Sequence, residues 1–260
     1  MHKDSVMGTI GVAALLCIAC SLMVSTAAVV LKEKQDLNKQ LDVKKNILLA
    51  SGLLKSTKVS AEEVLEAYKS IQAEVVNLET GEVVSDMAAE DFDQRKARKD
   101  PKTNKMIHSQ MDTAGIKIRS RYSTVYKVMK GDEVTMLILP VNGKGLWSTL
   151  YGFVALKPDT TTLAGIGFYE HGETPGLGGE VDNPLWKNQW KGKTALDEDF
   201  NPVIQVQKGQ VLPDDPKAHT KVDGLSGATI TANGVTGLVQ YWLGQDGFGP
   251  YLNHFRASRS

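Results

Sequence analysis

Tyr122-Ser123-Thr124-Val125-Tyr126-Lys127-Val128-Met129, then Gly131-Asp132, then Glu133-Val134-Thr135-Met136-Leu137-Ile138-Leu139-Pro140: two runs rich in β-branched and aromatic residues meet at a turn signal. Such runs read as strands. Two more follow, Tyr151 to Lys157 and Leu163 to Tyr169, with Asn142-Gly143 and Pro158-Asp159 as punctuation. Strands this close in sequence favour an antiparallel sheet, because a parallel pair needs a long crossover. Val203 to Gln207 is a candidate further strand, and Pro184 to Lys191, with Trp186 and Trp190, reads as a short helix. The predicted fold class is α+β: a twisted antiparallel sheet flanked by helices.

Upstream, the pattern changes. Ser60-Ala61-Glu62-Glu63 is a capping box opening a helix with Val64, Leu65, Tyr68 and Ile71 on one face, which reads as core packing rather than partner docking. A polar insertion is expected over about 74–111, with Glu79-Thr80-Gly81-Glu82 as a turn. Its basic run Arg95-Lys96-Ala97-Arg98-Lys99 could meet a lipid headgroup or a partner, though a solvated face or flexible loop is the plainer reading.

Gly8 to Leu31 carries no charge and is long enough to span a bilayer. A cleaved signal peptide is the alternative, with Ser25-Thr26-Ala27 as its cleavage site, but its apolar region would be shorter. Cys17 and Cys20 lie inside this run and read as apolar thiols facing lipid or a partner helix. Helical spacing continues through Leu37, Leu41, Lys44 and Leu48, as in a stalk. The expected organisation is a tail at 1–7, a transmembrane helix at 8–31, a stalk at 32–56 and a soluble domain at 57–260. Lys3 precedes the span, whereas Lys32, Lys34, Lys39, Lys44 and Lys45 follow it, so positive-inside counting places the domain in the cytoplasm.

Thirty basic residues balance thirty acidic ones. A formal charge of zero supplies no basic field for nucleic acid. Residues 21–260 hold no cysteine, which excludes a disulfide or thiolate metal site there. Neither a Gly-x-Ser-x-Gly elbow nor a His-Glu-x-x-His helix occurs, and Gly143-Lys144-Gly145 lacks the rest of a Walker loop. His171 and Glu173 flank a glycine, but no third ligand lies near them in sequence, so no metal site is expected. No catalytic acid or base is assigned.

The stretch with chemical promise is Asp223-Gly224-Leu225-Ser226-Gly227-Ala228-Thr229-Ile230-Thr231. Val235, Leu238, Val239 and Trp242 follow it at helical spacing, so it reads as a turn feeding a helix N-terminus. Such a terminus favours an anion, and the glycines let backbone approach it. A plain helix cap is the competing reading.

Asp-x-x-Ser-Gly-Ala-Thr followed by x-Thr resembles the flavinylation motif of FMN-binding domains in membrane redox pumps. The resemblance extends from about Trp147 to the C-terminus and includes His171-Gly172-Glu173-Thr174-Pro175-Gly176-Leu177-Gly178. Over the whole chain, anchor included, it is similar to the C subunits of bacterial Na+-translocating NADH:quinone oxidoreductases. The resemblance implies covalent FMN, joined through its phosphate to Thr229 by a flavin transferase. Asp223, Ser226, Gly227 and Ala228 complete the motif, while Glu173, Thr174, Leu177 and Gly178 are implied beside the flavin. Trp147 resembles another flavin-neighbouring position, with a core residue as the alternative. Lys208 and Lys221 are candidates, by charge alone, for offsetting phosphodiester charge. The family also implies an electron relay inside an inner-membrane complex, with other redox-pump subunits and lipid as partners and the domain on the periplasmic side. That orientation opposes the lysine count. Two alternatives stay open: the equivalent subunit of an Rnf-type ferredoxin:NAD oxidoreductase, and a cofactor-free tethered assembly module.

Overall fold

The computed structural model describes residues 6–54 and 58–259. Residues 1–5 of the expected tail and Lys55 and Ser56 at the end of the expected stalk lie outside them. The chain divides into two compact units, Met1–Val43 and Lys44–Ser260.

The first unit is helical. Helix α1 runs over Val6–Ala50, and its stretch Val6–Lys32 is long and apolar enough to cross a membrane. At 1.5 Å per residue its 27 residues cover about 40 Å, against a hydrocarbon core of about 30 Å. Cys17 and Cys20 are exposed on it.

In the second unit, α2 (Ala61–Tyr68) starts at Ser60, whose hydroxyl accepts the Glu63 N–H while the Glu63 carboxylate takes the Ser60 N–H. The expected capping box is therefore present. Val64 is buried but Leu65 is not, and Ile71 belongs to a strand rather than to this helix. That strand, β1 (Ile71–Asn77), joins β4 (Tyr122–Lys130), β5 (Glu133–Lys144), β6 (Thr149–Leu156) and β7 (Leu163–Glu170) in one sheet. The order is β1-β4-β5-β6-β7 and every pairing is antiparallel, as expected. The polar insertion thus starts after Asn77, not at Glu74. It also runs past Met111, as far as Arg121 before β4, and holds α3 (Gln94–Lys99) and a small pair, β2 (Asn104–Met106) with β3 (Ile118–Ser120).

The basic run forms most of α3: Lys96 and Lys99 are exposed, as a solvated face would have them, while Arg95 and Arg98 are bound to the rest of the domain. The Arg95 guanidinium stands 3.8 Å from the Tyr151 ring centroid and pairs with Glu170 at 2.7 Å, and Arg98 donates to the Ile116 carbonyl.

Asn142-Gly143, expected to be a turn, lies inside β5, opposite Tyr151 and Leu150. The bend comes later, at Gly145–Ser148, where the Gly145 N–H reaches the Ser148 carbonyl. Glycine at 143 serves packing instead: a Cβ there would stand 2.6 Å from Leu238 Cβ. Leu238 belongs to α5 (Thr229–Leu243), which crosses this strand.

Downstream, α4 covers Pro184–Asn188, and β8 (Gln205–Val206) pairs in parallel with β9 (Lys221–Val222). The candidate strand Val203–Gln207 therefore shrinks to two residues. Helix α6 (Gly249–Ala257), unread in the sequence, closes the chain. One core cluster joins Leu137, Leu139, Leu150, Val154 and Ile166 of the sheet to Trp186 and Trp190, to Val235, Leu238 and Trp242 of α5, and to Leu252 of α6. On the opposite side, Ala50 lies against Gly165 and Gly167 of β7.

The α5 crossing makes a direct test. A Cβ on Gly237 would stand 2.1 Å from the Thr113 carbonyl oxygen. Gly237→Ala gains about 1 kcal/mol of helix propensity, but the backbone clash costs about 3 kcal/mol. Net destabilisation is expected, read as a lower thermal midpoint of the full chain. An unchanged or higher midpoint would show that the crossing relaxes freely.

Candidate flavin site at the start of α5

Helix α5 begins at Thr229, and no side chain caps its N-terminus. Its first turn carries no acidic residue. The first N–H groups of such a helix lack intrahelical partners and face outward with the positive end of the dipole. Gly227 holds φ at +68°, which an L side chain rarely adopts, and a Cβ there would meet Leu177 Cδ2 at 2.9 Å. Leu177 thus reaches the turn that delivers the helix.

The two threonines of the motif face opposite ways. Thr229 is exposed, along with Ser226 and Ile230, while Thr231 is wholly buried. A sequence signal marks this: Thr231, Val235, Leu238 and Trp242 fall on one helical stripe, and two residues of helix turn Thr229 about 200° away. The Thr231 hydroxyl donates to Glu173 Oε2 at 2.5 Å.

Glu173 is the hub. Its carboxylate also accepts the N–H groups of Trp147 at 2.9 Å and of Leu146 and Ser148 at 3.3 Å each. Burial pushes its pKa up, but the Thr231 hydroxyl and the three amides outweigh this and hold the carboxyl below the ordinary glutamate value. The Glu173 N–H donates to His171 Nδ1 at 3.2 Å, and His171 Nε2 lies 2.8 Å from Asp182. The tautomer protonated at Nε2 satisfies both bonds. Both ring nitrogens are thereby engaged and the carboxylate is turned inward, so His171 and Glu173 do not converge as metal ligands.

The rest of the loop follows from its backbone. The Thr174 carbonyl accepts from Leu177 and Gly179, which folds 174–179 into a tight turn. Thr174 is exposed, Gly178 is buried against Glu173 and Thr231, and Leu177 is half-exposed. Trp147 is 66% exposed, so the alternative of a core residue does not hold.

Asp223 and Ala228 act beneath the surface. Asp223 Oδ1 takes the Val211 N–H at 2.7 Å, and Oδ2 takes the Gln189 amide. Its carbonyl accepts the Trp186 indole N–H at 2.8 Å. Asp223 therefore pins the turn to α4, a role for Gln189 and Trp186 that sequence reading missed. Ala228 is buried. Lys221 is paired with Asp215 at 2.6 Å, and Lys208 is exposed.

These observations fit a flavin mononucleotide. An uncapped helix start suits its phosphate, a hydroxyl stands there, and exposed Trp147, Leu177 and Ile230 offer apolar surface to a ring. The FMN-binding domain family matches residues 145–244, which places this site in the class of flavin-binding domains. Over 256 residues the chain is 46% identical to the C subunit of the Na(+)-translocating NADH-quinone reductase of Pseudomonas aeruginosa, covering 98% of each chain. It is 45% identical over 259 residues to the protein of the same name from Haemophilus ducreyi, covering 99% of this chain and 97% of that one. The crystal structure of Shewanella oneidensis NqrC superposes with a TM-score of 0.76 at 36% identity, spanning 85% of this chain and 99% of that one. The chain belongs to the family of Na(+)-translocating NADH-quinone reductase C subunits.

Proposed function

We propose that this chain is the membrane-anchored, FMN-carrying subunit of a Na+-translocating NADH:quinone reductase and relays electrons inside that complex. Other subunits of the pump are its partners, and no residue of this chain need act as catalytic acid or base. Near full-length identity to C subunits of that reductase favours this reading over the Rnf-type alternative. The flavin is held covalently, through a phosphoester to Thr229. The observation that carries the attachment is the exposed Thr229 hydroxyl at an uncapped helix start, two residues from a threonine whose hydroxyl is already committed. When bound, FMN supplies the electron-carrying chemistry. The chain's own part is to hold and orient. Thr229 Oγ would hold the group as a phosphoester: its proton would be exchanged for the phosphoryl group of an activated FMN donor on the transferase, whose anhydride bond breaks so that the departing phosphate group leaves with that proton. The α5 amides face the remaining phosphate charge. Trp147 and Leu177 offer apolar surface, and Asp223 fixes the turn through α4. A tether keeps a carrier from diffusing away while leaving its ring exposed to partners.

The first test is cheap. Protein matured with the flavin transferase and run on a denaturing gel is expected to give a flavin-fluorescent band. A dark band would favour the cofactor-free assembly module.

The anchor is the span Val6–Lys32 in a bacterial inner membrane, in contact with lipid. The domain is placed on the periplasmic side as the family resemblance implies; the flanking lysines argue the other way, but such counts weaken for long domains, which can be translocated regardless of them. Alkaline phosphatase fused after Ser260 is expected to be active in cells. An inactive fusion would place the domain in the cytoplasm, where the lysines point.

A further inference from the structure

Four hydrogen bonds converge on the carboxylate of Glu173, a residue 5% exposed. Thr231 brings the first turn of α5 to Glu173 Oε2 at 2.5 Å, and the Trp147 amide meets Oε1 at 2.9 Å. The backbone that presents the Trp147 indole is thus two hydrogen bonds from the turn bearing Thr229. No room is left at the carboxylate itself: Cβ atoms on Gly145 and Gly178 would stand 2.6 and 2.8 Å from its oxygens. A ligand beside this loop therefore meets the exposed indole, not the acid.

The geometry points to Thr231 and Glu173 as a positioning pair that sets where the Trp147 indole stands relative to Thr229, neither touching the flavin itself. This rests on Thr229 being the flavin site. A second tie clarifies the division of labour. The Gly172 N–H donates to Ser148 Oγ at 2.6 Å, so the 145–148 and 171–179 loops stay joined without Thr231. What Thr231 adds is the connection of both loops to α5. An apolar contact could anchor a helix as well as a buried carboxylate does. An acid receiving three successive amides fixes the orientation of the segment that displays the tryptophan.

The test uses the full chain, matured with the flavin transferase, as wild type, Thr231→Val, Thr231→Ser and Glu173→Gln. Bound flavin is counted on the denatured protein. Native fluorescence is then read per bound flavin, and amide exchange is followed over 146–148. An indole held near an excited flavin quenches it by donating an electron. Thr231→Val is expected to raise native fluorescence per flavin severalfold and to speed exchange at 146–148. Thr231→Ser, which keeps the hydroxyl, restores both. Should Thr231→Val fail to fold or load, Glu173→Gln carries the same comparison: it keeps the volume but has one oxygen for four donors, so a rise in native fluorescence per flavin is again expected. Wild-type quenching in the loaded variant, even with faster exchange, would reduce the pair to a structural contact and overturn the inference. A wild-type chain without any adduct would instead remove the flavin reading, and unchanged exchange in Thr231→Val would separately remove the positioning role.

Discussion

Thr229→Val is expected to abolish the covalent flavin while leaving the fold intact. Valine keeps the branched shape and removes only the hydroxyl, and Thr229 makes no side-chain cap to lose. At an exposed position the stability change should stay within about 0.5 kcal/mol. Mass spectrometry of the peptide holding 223–231 should show an adduct of FMN size on the wild type and none on the variant. Thr229→Ser restores a hydroxyl at the same helix start and is expected to recover loading. Two neighbouring hydroxyls make the test sharp. Thr231 is buried and bonded to Glu173, so it cannot take over. Ser226 is exposed, and Ser226→Ala should keep the adduct. A flavin found on Ser226, or retained by Thr229→Val, would break the assignment of the phosphoester to Thr229.

The reason one atom can be singled out lies in how the helix meets the sheet. Val235, Leu238 and Trp242 commit one stripe of α5 to the core, and this fixes its rotation. Once the rotation is fixed, Thr231 points in and Thr229 points out. Which of the two hydroxyls is left exposed is thus decided by packing farther down the helix together with the Thr231–Glu173 bond.

The sheet was legible in sequence where strands showed β-branched runs bounded by turn signals, and β4 to β7 sit close to where those runs fall. The edge strand β1 hid because polar Gln72 and Glu74 share a face with the buried Val76, which breaks the apolar alternation; Glu74 is satisfied there by Lys127 and the Tyr251 hydroxyl. Gly143 misled because glycine marks both a turn and a close approach, and only the position of Leu238 decides between them. Helix α6 was masked by Gly249-Pro250 and by the polar Asn253, His254 and Arg256 around its three buried side chains Tyr251, Leu252 and Phe255. At the site, the Thr229 motif and the 173–178 loop could be named from resemblance, but not their wiring. Hydrogen bonds from Leu146, Trp147 and Ser148 to Glu173 join segments more than twenty residues apart, and no local pattern encodes that.

That wiring makes Glu173 the residue with the largest expected effect on stability. Glu173→Ala would leave the Thr231 hydroxyl and three amides without their acceptor, at a cost of about 2–4 kcal/mol. Its pH dependence has a definite sign. Burial alone would raise the Glu173 pKa, but the four donors hold it below the ordinary value. A depressed folded-state pKa means the unfolded chain binds the proton more readily. The contribution is then complete above the unfolded glutamate pKa of about 4.3 and is lost as pH falls through the lower folded value. Thermal midpoints of wild type and Glu173→Gln should therefore differ most at and above neutral pH, with the gap beginning to close below the unfolded glutamate pKa of about 4.3 and vanishing only below the lower folded value. A gap that does not shrink as the pH falls further below that unfolded value, in the range where the chain still folds, would mean that the charge on Glu173 contributes nothing and that shape alone holds the loop.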